Sequence, residues 1–100
     1  MKLIGVMSLD EDKDRVHELF EKHGVQIFSE TDIKGHTTST IEEYGWWPAE
    51  RDVPIYSTLC FAVVPRLRAD DIMAELEAAA RKETAHHPIR AFQVDVEKMI

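Results

Sequence analysis

The chain has 100 residues, the length of one domain, and bulk enough to bury roughly two-thirds of the surface its unfolded form exposes without disulfide staples. At 44% hydrophobic and 31% charged residues, its composition is that of a globular protein and not of a disordered one. Its formal charge of −7, from 12 basic and 19 acidic residues, argues against nonspecific nucleic-acid binding and against docking on anionic membranes, both of which need a Lys and Arg surplus.

The opening stretch KLIGVMSL, residues 2–9, is apolar and β-compatible and predicts a buried central strand. This apolar run is short for a signal peptide or a membrane span, and a lone cysteine, Cys60, has no intramolecular disulfide partner. The expectation is a soluble cytoplasmic protein. Next, DEDKDRVHELFEKHG begins acidic and ends basic, complementing a helix dipole. Asp10 is the expected N-cap and Gly24 the expected residue just past the end. Val16, Leu19, Phe20 and His23 form its buried stripe, His23 favours the dipole, and His17 is expected in solvent.

VQIFSETDIKG alternates and predicts a second strand with Val25, Ile27, Ser29, Thr31 and Ile33 on one face. Residues 36–54, HTTSTIEEYGWWPAERDVP, hold no period and carry Gly45, Pro48 and Pro54. They form a long connection of the kind that is often functional. IYSTLCFAVVP is the clearest strand, ended by Pro65, with Cys60 expected in the core. ADDIMAELEAAARKE predicts a second amphipathic helix with Ile72, Leu76, Ala79 and Ala80 inward. TAHHP breaks it, and IRAFQVDVEKM predicts a last strand. The order β-α-β-β-α-β is the ferredoxin-like split motif, an α+β fold with an antiparallel sheet and both helices on one face, in a single domain spanning residues 1–100.

Several of these stretches, in this order and spacing, resemble the PII signal-transduction proteins over nearly the whole chain. MKLIGVMSLD is similar to their first strand, and DKDRVHELFEKHGVQ to their first helix. SETDIKG is similar to the end of their second strand, FAVVP to their third, and FQVDVEK to their fourth. The resemblance implies a homotrimer with ligand clefts between subunits, and it places residues 35–55 on the family's long T-loop. It further implies a regulator and not an enzyme, one that senses adenine nucleotides or small anions and docks its loop on a transporter or an enzyme. The ligand residues so implied are Gly35, His36, Thr37, Thr38, His86, His87 and Arg90. KETAHHPIR stands where the family has a glycine-rich phosphate loop ending in lysine, and Arg90 keeps that lysine's charge. Without glycine the backbone does not readily form a phosphate nest, which leaves a bicarbonate-like anion or a nucleotide held differently.

Other residues carry weaker signals. His86 and His87 form either a polar turn or part of a metal site, which would make the chain a metal-binding protein of the same fold. Neighbouring histidines diverge, and no His-x₃-His or CxxC spacing accompanies them, so no metal ligand set is assigned. Glu42 and Glu43 are a solvated pair unless a pocket holds them, and no catalytic triad or metalloprotease motif appears. Tyr44, Trp46, Trp47 and Arg51 are the expected partner contacts of the loop, since aromatic and arginine side chains dominate binding hot spots. The alternative for the tryptophans is packing against their own trimer.

Overall fold

Strands and helices follow one another in the predicted order. The computed structural model describes residues 1–36, 56–82 and 89–100. Strand β1 (Lys2–Ser8) leads through a 3₁₀ turn (Asp10–Asp12) into α1 (Lys13–Lys22) and then β2 (Ser29–Asp32). Strand β3 (Thr58–Val64), helix α2 (Arg66–Lys82) and β4 (Arg90–Asp95) complete the fold. The sheet order is β2-β3-β1-β4 with every neighbouring pair antiparallel, which is the ferredoxin-like arrangement.

Alternation along the strands decides where the core lies. Ile4, Val6 and Ser8 of β1 stand opposite Ala62, Cys60 and Thr58 of β3, and all six are buried. Val16 and Phe20 from α1, and Ala69 and Ile72 from α2, close one cluster with these strand residues, so both helices cover the same sheet face. Helix α2 begins a turn earlier than its acidic residues suggest. Pro65 ends β3, and its carbonyl accepts the first helical bond from the Ala69 N–H at 3.0 Å.

Three local expectations need correction. Helix α1 starts after the 3₁₀ turn, and Asp10 caps nothing with its side chain. Strand β2 has four residues, with Val25 buried at the exit of α1 and Ile27 85% exposed. The cause is the helix end. Gly24 takes φ +74°, its N–H bonds the Glu21 carbonyl, and the Val25 N–H bonds the Phe20 carbonyl. This paired closure docks Val25 under the helix, so only the last part of the segment reaches β3. The third correction is His17, which packs its ring 5.1 Å from that of Phe28 instead of standing in solvent.

The helices are also joined by charge. Lys22 Nζ lies 2.7 Å from Glu75 Oε1, and His23 Nε2 lies 3.5 Å from the same oxygen. The Lys22 hydrogen bond holds the Glu75 carboxyl below its ordinary range. Because the folded value is depressed, the stabilisation is present above the unfolded pKa and is lost as pH falls through the folded one. Glu75→Gln should therefore cost under about 1 kcal/mol at neutral pH, and the difference from the parent should vanish in acid, as read by urea melts at both pH values.

The second sheet face carries Leu3 and Met7 of β1, Leu59, Phe61 and Val63 of β3, and Phe92 and Val94 of β4, opposite in sense to the core residues. No described helix packs on it, and Phe61, Phe92 and Val94 remain 37%, 40% and 47% exposed. The far end of the Phe92 ring lies over Gly5, where an added Cβ would clash with Cζ and force the ring to shift. Among the described residues, no helix is long and apolar enough to cross a membrane.

Candidate functional site

The sheet end at which β2 finishes and β3 begins is held by a polar lattice. The Ile33 N–H extends the β2–β3 ladder by one bond to the Ser57 carbonyl, at 2.9 Å. Ser57 in turn donates its N–H to the Ser8 carbonyl at 3.0 Å, while its Oγ accepts the Asp10 N–H at 2.7 Å. Thr58 Oγ1 donates to Asp10 Oδ1 at 3.3 Å, and Lys13 Nζ stands 3.4 Å from that oxygen. The 3₁₀ turn is thereby fastened to the start of β3. Asp10 serves as a clamp between these two elements.

Arg90 opens β4 opposite Met7, at this same sheet end, and is half-buried. Its guanidinium hydrogen-bonds the side chain of Tyr56, the buried residue at which the chain re-enters the described structure after the loop. Burial pushes the Tyr56 phenol above its ordinary range, and the charge of Arg90 opposes that shift. The phenol is neutral near pH 7 and donates or accepts as its neighbour requires.

Of the expected ligand residues, Gly35, His36 and Arg90 are within the described structure. Gly35 is half-buried and His36 exposed. These two follow β2 at one sheet edge, whereas Arg90 opens β4 at the other. Three strand spacings, roughly 14 Å, separate the two edge strands themselves. Thr37, Thr38, Tyr44, Trp46, Trp47, Arg51, His86 and His87 lie outside the described residues. Sequence reasoning missed Tyr56, Asp10 and Ser57. The signal available was a tyrosine, a serine and a threonine opening an otherwise apolar strand, a position where polar groups need partners.

Comparison with known proteins supports the fold. No family model matches the chain, and no curated protein matches it. Solved structures do. A PII-like signalling protein of Thermus thermophilus is similar with a TM-score of 0.65 and 17% identity, over 95% of this chain and 85% of that one. CPII, a nitrogen regulatory PII-like protein of Thiomonas intermedia, is similar with a TM-score of 0.60 and 12% identity. That match covers 99% of this chain and 94% of the other, whose structure holds ADP, AMP and bicarbonate. The chain therefore has the fold of PII-like signalling proteins.

Proposed function

We propose that this chain is a cytoplasmic PII-like homotrimeric regulator, without enzymatic activity, that binds an adenine nucleotide or a small anion such as bicarbonate in clefts between its subunits. The observation that carries this reading is the hydrogen bond of Arg90 to Tyr56. It joins the cation best placed to meet an anion to the residue that anchors the departing loop. An anion taken up by Arg90 competes with the Tyr56 hydroxyl, and the loop base then senses occupancy directly.

Two further facts support it. Gly35 and His36 follow the β2 edge and Arg90 opens the β4 edge, so packing the β2 edge of one copy near the β4 edge of the next would gather them into a shared cleft. The open apolar sheet face supplies a surface for such packing. Through residues 36–54 the regulator would present Tyr44, Trp46, Trp47 and Arg51 to a transporter or enzyme. CPII, of the same fold, holds ligands of the proposed class.

The test is calorimetry of the intact chain with ATP, ADP, AMP, cyclic AMP and bicarbonate. At least one should bind, and Arg90→Ala should weaken it by about tenfold or more, since a hydrogen bond to a charged group contributes about 1.5–3 kcal/mol. Tyr56→Phe should leave affinity within about threefold, because it removes the competitor and not the cation. Silence with every ligand on a folded assembly would sink the proposal.

A further inference from the structure

Away from the loop base, three side chains from three elements converge between α1 and the β2–β3 ladder. Glu30 of β2 stands directly opposite Cys60 of β3, so both project from the same sheet face, and His17 reaches them from α1. One ligand-capable atom from each lies within 4.8 Å of the other two, and His17 Nε2 is 3.5 Å from Glu30 Oε2. Cys60 is wholly buried, while Glu30 keeps a partly exposed carboxylate at the rim.

The arrangement is unusual for a simple core contact. A buried cysteine ordinarily faces apolar neighbours, yet here a strand places a carboxylate across from it. His17 Nε2 is buried and makes no hydrogen bond among the described residues, although its ring is oriented by Phe28, itself held by Phe20 at 5.2 Å between ring centroids. Nitrogen, thiol and carboxylate are the donor set of borderline-soft divalent ions. Metal–ligand bonds of about 2.0–2.3 Å in tetrahedral geometry put donors roughly 3.3–3.8 Å apart, within a small side-chain adjustment of what is seen.

We propose that His17, Glu30 and Cys60 form a three-ligand site for a divalent transition metal of the zinc class, with the fourth position open to water at the Glu30 rim. Binding exchanges the Cys60 thiol proton, released to solvent, for a sulfur–metal bond, and Nε2, which makes no hydrogen bond among the described residues, gains a bond to the metal. In the metal-free state burial first, and the nearby Glu30 charge second, push the thiol up to about 11, so it is a neutral thiol until a cation arrives. Lys13 acts on both Glu30 and Cys60, but its ammonium is paired with Asp10 and favours the thiolate form.

The experiment is an anaerobic Co(II) titration of the intact chain in reducing buffer, followed by Zn(II) displacement. One equivalent should bind with a thiolate-to-cobalt charge-transfer band and the visible bands of a tetrahedral ion. Cys60→Ser should remove the charge-transfer band, and His17→Gln and Glu30→Gln should each weaken binding by about tenfold or more. Should Cys60→Ser fail to fold, Glu30→Gln decides, because its side chain is partly exposed and it changes charge without volume. Absence of the charge-transfer band, or unchanged affinity in His17→Gln and Glu30→Gln, would overturn the site. So would loss of binding on replacing His86 and His87 with alanine while the three proposed ligands remain.

Discussion

Phe61→Glu should convert the proposed trimer to monomers and abolish its proposed ligand binding at the same stroke. Phe61 lies in the middle of the open sheet face, opposite Gly5 of β1 on one side and Ser29 of β2 on the other. In an isolated chain its side chain is partly exposed, so the carboxylate can remain hydrated and folding should lose about 1 kcal/mol or less. In an assembly built on this face the same carboxylate is buried without a partner, and each such charge costs about 3–5 kcal/mol. Repeated in every subunit, that cost exceeds what an interface of ordinary size supplies in surplus. Circular dichroism should report an intact fold while sedimentation reports a single chain. Calorimetry should then be flat, since the proposed ligand clefts form only between subunits. A variant that stays assembled and binds ligand would show that this face is not the interface.

Phe20→Ala should have the largest effect on the fold itself. Phe20 is fully buried, centres the α1 side of the core and holds the Phe28 ring. Removing a buried phenylalanine costs about 3–5 kcal/mol through lost transfer energy and the cavity left behind. A domain of this size has about 5–15 kcal/mol in total, so the variant should be near its melting point under ordinary conditions. Equilibrium denaturation should show the midpoint shift with little change in slope. A loss under about 1.5 kcal/mol would mean that α1 does not pack as described. Because Phe28 also orients His17, the same substitution should loosen the proposed metal site, a coupling that the Co(II) spectrum can follow.

The order of strands and helices was legible because each element carries its own period. Ile4 and Val6 alternate with Leu3, Gly5 and Met7, while Val16 and Phe20 recur at helical spacing. The apolar character of both sheet faces was visible too, in the near-continuous run from Leu59 to Val64, and only the structure shows which face lacks a cover. The truncation of β2 was not legible. It follows from the Gly24 closure, which ties Val25 to α1 in competition with the sheet, and alternation alone does not weigh the two.

The site was harder to read for a related reason. Arg90 was found through a family resemblance at one position, but its partner Tyr56 is 34 positions away and is brought to it by the β3-β1-β4 order. His17, Glu30 and Cys60 are likewise separated in sequence and gathered by strand register and helix placement. No spacing rule for metal ligands covers three donors on three elements, so a cysteine expected in the core gave no further sign.

The central claim is that ligand sensing happens between copies of this chain, and light scattering on a size-exclusion column tests it most directly. The account predicts a mass three times the 11.5 kDa of one chain for the parent protein. A parent protein that runs at 11.5 kDa across micromolar concentrations, folded and with Phe61, Phe92 and Val94 left in water, would contradict it.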